Sequence, residues 1–292
     1  MAKKRKTAVA APSKPIQGAP PTSNRAGANG NSGKGLLSCP IELQTEILNY
    51  FPAVTSTTRF RAGRDPILPP TFLERTDLLR SLSQISLDYR RVFLPLLYET
   101  VNICVARGGG AFYKQVVDAL RRKMEGLAAN PELASCVQKI NVVLTRYQAG
   151  ELIPLFSSTV ATFPNLHTLH VLHAHTQMTT ALKVGFAGVT LPSIRLLVIP
   201  GYGHEILRSC PNVNRVWGHF RDDASKVVTV IAKHCKGVEE MRGFRFEQNT
   251  LKRLVKAAPG LKTIAIDEYD FEPSGEVCFL SSKKIQNLNR ER

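Results

Sequence analysis

The sequence predicts an α/β chain in which an N-terminal three-helix module is followed by a short, irregular solenoid with parallel strands. Two observations carry this. Between Ser38 and Glu99, apolar residues recur at helical spacing in two blocks separated by a long insert. From residue 134 onward, six segments repeat an apolar pattern Φ-x-x-Φ, with first anchors 29, 28, 19, 25 and 23 residues apart. A period in that range marks stacked units that each contribute one strand to a common core.

The first helical block is Cys39 to Phe51. Pro40 suits the first turn of a helix, where its missing N–H costs nothing, and Glu42 complements the positive end of the helix. Leu43, Ile47 and Tyr50/Phe51 then form one apolar face. The second block runs from Thr76 to Arg91, with Thr76 as N-cap, Asp77 in the first turn, and Leu78, Leu82, Ile85 and Tyr89 on a shared face. A third apolar run, Val92 to Tyr98, follows directly. The insert between the blocks, Pro52 to Arg75, carries Arg59, Arg61, Arg64 and two proline-containing stretches. It reads as an exposed loop tethered by Phe60, Ile67 and Phe72.

Two short amphipathic helices with apolar residues left over need a partner to cover them. The pattern Pro-x-Glu-Leu-x-x-x-Ile, then Asp-Leu-Leu-x-x-Leu-Ser-x-Ile-Ser-x-x-aromatic-Arg, then Leu-Leu-Tyr-Glu, resembles the F-box in the form common in fungal F-box proteins. Cys39 stands where that family usually has leucine and Tyr89 where it usually has tryptophan. The resemblance implies docking on a Skp-type adaptor of a cullin ubiquitin ligase. By the same resemblance, Pro40, Ile41, Leu43, Ile47, Leu78, Leu79, Leu82 and Tyr89 would bind the adaptor.

The six repeat segments are Val137–Ile140, Leu166–Val171, Ile194–Ile199, Val213–Val216, Val238–Met241 and Leu261–Ile266, most of them preceded by Pro-x or Lys-Gly. Before them, 99–105 alternates like a strand and Ala111 to Met124 reads as a helix with a basic end. Residues 151–163, 222–234 and 248–258 read as amphipathic helices, with Val227, Val230, Ile231 and Leu251, Leu254, Val255 turned inward. These units resemble the degenerate leucine-rich repeats that often follow an F-box. An ordinary α/β domain with a parallel sheet shares the local pattern and is the alternative. The fold expectation is therefore an F-box-like module followed by a leucine-rich-repeat-like solenoid. In such a solenoid the residues between buried anchors line the inner face: His170, Arg195, Val198, Arg215, Trp217, Arg242 and Ala265. Tryptophan and arginine are enriched at interface hot spots, so His170, Arg195, Arg215, Trp217 and Arg242 are the candidates for binding a protein target.

The remaining features bound the function. The domain expectation is a basic tail at 1–35, the helical module at 36–99 with its insert at 52–75, the repeats at 100–271 and a polar tail at 272–292 that caps an open solenoid poorly. The tail at 1–35 lacks aromatic residues and acids and is expected to be disordered, with Lys3, Lys4, Arg5 and Lys6 forming a cluster of the nuclear-import type. Its seven Lys and Arg leave +9 of the net +16 for the remainder, whose charges alternate along helix faces. That excess motivates a second reading, a basic nuclear nucleic-acid-associated or scaffold protein without a ligase role. No run approaches the ~18 apolar residues of a membrane span and no secretory signal is evident, so a nuclear or cytoplasmic location is expected.

Six cysteines lie far apart with no C-x-x-C pair, which suggests buried free thiols. Only some of His167, His170, His173 and His175 can face one side of a strand, because side chains alternate. Gly108–Gly110 matches no phosphate-binding motif, and Asp267, Glu268, Asp270 and Glu272 have no nucleophile or base to complete a site. The expectation is a receptor without catalysis, metal or cofactor, which acts by holding a target near the ligase.

Overall fold

The computed structural model describes residues 36–55, 67–104, 111–267 and 277–281. The Lys3–Lys6 cluster, the arginines of the insert, the triple glycine at 108–110 and Glu268, Asp270 and Glu272 lie outside them.

Three helices open the described chain: α1 (Ile41–Asn49), α2 (Thr71–Leu82) and α3 (Leu87–Glu99). In α1 the structure places Pro40 at the N-cap, with φ −50°. Gln44, buried, ties the preceding turn to this helix by donating to the Leu36 and Cys39 carbonyls at 3.3 and 2.9 Å. The second helix corrects the sequence reading. It starts at Thr71, after Pro69-Pro70 rather than at Thr76, because Pro70 already holds helical φ and ψ and gives up no needed donor. It also ends at Leu82. The Ser83 hydroxyl donates to the Arg80 carbonyl at 2.8 Å, and Ser86 caps α3 by accepting the Tyr89 N–H at 3.3 Å. The expected single face through Leu78, Leu82, Ile85 and Tyr89 is thus split over two helices, and Val92–Tyr98 is the body of α3. Leu48, Leu79 and Phe93, one from each helix, form the buried centre of the module.

The rest is one sheet in chain order. Strands β1 (Thr100–Ile103), β2 (Lys139–Val143), β3 (Thr168–His173), β4 (Leu196–Ile199), β5 (Arg215–Asp223), β6 (Glu240–Arg245) and β7 (Thr263–Asp267) pair in parallel, each with the next. The turns between them carry α4 (Phe112–Ala128), α5 (Pro131–Cys136), α6 (Ala149–Val160), α7 (Thr179–Gly185), α8 (Ser225–His234) and α9 (Gln248–Ala257). The 19-residue spacing before β5 leaves no room for an α-helix, and two 3-10 turns, Gly201–Gly203 and Ile206–Ser209, take its place.

The anchors of the repeat pattern make the core. Val137, Ile140, Leu166, Leu169, Ile194, Leu197, Val213, Val216, Val238, Met241 and Ile264 are each fully buried. They pack against Leu152, Ile153 and Phe156 of α6, Val227, Val230 and Ile231 of α8, and Leu254 of α9. A strand with one apolar face and a helix with one apolar stripe can bury both only by closing on each other. Sequential parallel order with a helix or turn behind every strand is leucine-rich-repeat-like architecture.

The end of the sheet departs from expectation. Residues 277–281, read from sequence as polar tail, form β8 (Val277–Ser281) and pair antiparallel with β7, from Thr263 opposite Ser281 to Asp267 opposite Val277. This strand occupies the backbone edge that an open solenoid would leave unpaired. Among the described residues, no helix is long and apolar enough to cross a membrane.

Strands β5 and β6 shift register between Trp217 and Asp222. The shift depends on two glycines. Gly243 has φ +69°, and a Cβ there would meet the Gly218 carbonyl oxygen at 2.6 Å. Gly243→Ala is expected to cost about 1–3 kcal/mol in urea unfolding, through strain and close contact together. Gly237→Ala, where a Cβ meets nothing within 4 Å, should stay within about 0.5 kcal/mol of the parent.

Candidate functional site

The inner face of the sheet is built from the two positions that flank the second anchor of each repeat. In one row, Thr100, Lys139, Thr168, Leu196, Arg215, Glu240 and Thr263 stand side by side across seven strands. In the next, Asn102, Asn141, His170, Val198, Trp217, Arg242 and Ala265 do the same. The two rows hold every inner-face residue named from the sequence except Arg195. That residue sits one position earlier, exposed, and its guanidinium donates to the Asn212 carbonyl at 3.1 Å, so it braces the next repeat.

The first half of this face is covered by the protein's own chain. The Lys139 ammonium donates to the Val54 carbonyl at 2.7 Å. Val54 and Leu68 are buried with Val143 and Leu172 of the sheet and Phe112 and Val116 of α4. A cleft of about 250 Å³ remains between Phe51–Val54, α2 and the inner side chains of β1 and β2. The described ends of the insert, 52–55 and 67–70, therefore contribute two core residues, Val54 and Leu68, beyond the expected tethers, of which Ile67 and Phe72 pack partly buried against the same cluster; sparse apolar residues among prolines gave no periodic signal for the two.

His170 is corrected as well. It is 2 % exposed, and its ring stacks on His219 with centroids 5.4 Å apart. His219 Nε2 lies 2.7 Å from the Val171 carbonyl. His170 is thus a packing residue held against His219 of β5, and Val198 and Ala265 are equally buried. Asn141 and Asn102 join the same layer, with Asn141 Nδ2 donating to Asn102 Oδ1 at 2.7 Å.

The open half lies on β5 and β6. Trp217 Nε1 donates to Glu240 Oε1 at 3.2 Å, Arg242 pairs with the same carboxylate, and the Arg242 guanidinium carbon lies 5.0 Å from the Trp217 ring centroid. The carboxylate thereby fixes both the indole and the cation that rests over it. Arg215, exposed, borders this group. Sequence reading named Trp217, Arg215 and Arg242 but missed Glu240 and Lys139, which occupy the position before the second anchor and were legible from that offset. Chemically, the arrangement offers an aromatic plane and fixed cations. Among the described residues, no group of three His, Cys, Asp or Glu could hold a metal ion.

The residues assigned to adaptor binding fall into two sets. Ile41, Leu43 and Ile47 on α1 are 56, 54 and 45 % exposed, and Tyr50 just beyond it is 84 % exposed. Pro40 is exposed beside them. Leu79 is instead buried at the centre of the module, and Leu78, Leu82 and Tyr89 are half-buried around it, so their first task is to hold the three helices together. Ile85, in the turn between α2 and α3, and Leu87, the first residue of α3, are the exposed apolar residues of that region.

No protein-family model and no curated protein matches the chain. Among solved structures, the leucine-rich repeat-containing protein LegL7 from Legionella pneumophila is similar over 72 % of this chain and 78 % of that one, at 13 % identity and a TM-score of 0.33.

The histidines of the inner face predict an acid dependence. Burial holds the pKa of His170 down to about 2, with His219 and Lys139 adding to the effect. Burial also lowers His173 and His219, the latter opposed by the Val171 carbonyl and Asp222. In the unfolded chain an imidazole titrates near ~6.5, so below that pH the unfolded state binds more protons than the folded one. Stability is expected to be fully present above about pH 6.5 and to fall on acidification, by about 1.4 kcal/mol per pH unit for His170, with His173 and His219 acting in the same direction. His170→Leu should make the plot of unfolding free energy between pH 6 and 4 shallower by about one proton, checked by urea titration at each pH. An unchanged slope would show that His170 is protonated in the fold.

Proposed function

We propose that the protein is a non-catalytic receptor subunit of a cullin ubiquitin ligase, with α1 docking on a Skp-type adaptor and the open half of the inner face holding a protein target. The observation that carries the reading is the inverted α1. This helix buries Gln44 and Leu48 and turns Leu43 and Ile47, one turn apart on another face, outward, with Ile41 exposed at its start. Exposed apolar residues recurring on one helix face mark a surface awaiting a partner. The order of the blocks that resemble an F-box says which partner, and the repeats behind them supply a second, separate surface.

On this reading no chemical step belongs to the chain. One surface holds the ligase and the other the target, so the target's lysines experience a raised effective concentration of the conjugating enzyme. The Trp217–Glu240–Arg242 group with Arg215 is the anchor offered to the target, since a rigid aromatic held beside cations loses little freedom on binding.

The test is a pulldown of purified Skp-type adaptor by the full chain. Leu43→Asp with Ile47→Asp should abolish capture and leave the melting temperature within about 2 °C, because both positions face solvent. No capture by the parent chain, or equal capture by the double variant, rules the reading out. Leu79→Ala marks the structural counterpart and is expected to lose about 2–5 kcal/mol in chemical unfolding, because its side chain fills the centre of the module.

A further inference from the structure

On the outer edge of β1, away from both surfaces above, a groove of about 430 Å³ opens between α2, α3 and α4. Its lining interleaves apolar residues, Leu73, Leu97 and Leu127, with the cations Arg80, Arg122 and Lys123. Three like charges around one cleft need compensation, and the described residues give little. Asp77 is the one carboxylate among the described lining residues, and it is already engaged by Arg80 at 2.5 Å.

Lys123 is the centre of the problem. Its ammonium donates to the Asn102 carbonyl on the open edge of β1. An ammonium has three N–H donors, so two are left for the groove. Burial is the main cause that lowers its pKa; the Cys104 sulfur opposes this, while Arg122 and Arg80 add to it. Burial also pushes the Cys104 thiol up to about 11, so at neutral pH it brings no negative charge to the lysine. With Asp77 held by Arg80, the adjacent basic residues Arg122 and Lys123 have no carboxylate among the described lining residues, and a bound anion would be stabilised between them.

We propose that this groove binds a small organic phosphate, with the phosphate on Lys123 and Arg122 and the apolar body against Leu97 and Leu127. The charge selects phosphate over carboxylate: Lys123 and Arg122, beside an Asp77 already held by Arg80, match a dianion, and the guanidinium fork adds paired hydrogen bonds to its oxygens. The apolar wall selects an organic ester over the free ion, because only the ester buries that surface. This inference is independent of adaptor binding and of the target surface.

Phenyl phosphate serves as the probe, titrated into the full chain by calorimetry, with inorganic phosphate and benzoate run beside it. Saturable binding of phenyl phosphate, at least about tenfold tighter than either of the others, is the expected result. Lys123→Met keeps the length of the stem and removes the charge, and is expected to weaken binding by about tenfold or more. Gly126→Glu is the second variant. Gly126 lines the groove from α4, and a Cβ there meets nothing within 4 Å, so the substitution adds a repelling carboxylate at no packing cost. It should weaken binding to the same degree with an unchanged melting temperature. Absence of saturable binding, equal affinity in the Gly126→Glu variant, or benzoate binding as tightly as phenyl phosphate overturns the proposal.

Discussion

Every strand of the sheet has one face that only its neighbours and the segment behind it can dry. The buried anchor pairs, such as Leu166/Leu169 and Val238/Met241, form a continuous apolar wall, and no single repeat could exclude water from its own pair. Stacking in chain order is the solution, and it transmits a constraint. The spacing between anchors decides what fits behind the sheet: 28 residues before β4 accommodate α7, while 19 before β5 accommodate only 3-10 turns. The register shift at Gly218 and Gly243 comes in the strand that follows this short unit.

Once the outer face of the sheet is committed to the core, the inner face is the only broad surface the strands have left, and this protein divides it. On β1 to β3 it is used internally. Val54 and Leu68 lie in its apolar layer, Lys139 holds the Val54 backbone, and His219 of β5 reaches back to stack on His170, both held neutral because burial penalises their charged forms. The helical module is thereby fastened to the solenoid by buried contacts rather than joined by a linker. On β5 and β6 the face is left open, and the Glu240 carboxylate fixes Trp217 and Arg242 there. The inner face thus has a half that packs on the chain's own insert and a half that is left open.

The helical module shows the opposite economy. Its centre is small, with Leu48, Leu79 and Phe93, and the half-buried leucines around it complete the packing. Covering that centre takes most of the apolar residues of α2 and α3 but only Leu48 of α1. The remaining apolar residues of α1 have nothing inside to cover, which is why they stand in solvent. Apolar residues left on the outer side of a helix cost solubility, and the proposed docking role would give that cost a purpose.

The sequence by itself determined the repeating core. The Φ-x-x-Φ anchors, the helices Val227–Ile231 and Leu251–Val255, and the inner-face offsets were legible because burial on a strand or helix imposes a period that a single chain records. It also pointed to Trp217, Arg215 and Arg242, since those follow from the same offsets. The tertiary structure alone decided which inner-face positions are free. His170 and Trp217 occupy the same position two repeats apart, yet His170 is sealed and Trp217 half-buried, because the His219 ring from β5 stacks on His170. It also decided that Leu79 is core while Leu43 is surface, although both sit on apolar helix faces. A period says that a face is apolar; which partner covers it depends on contacts between elements remote in sequence, and those leave no local mark.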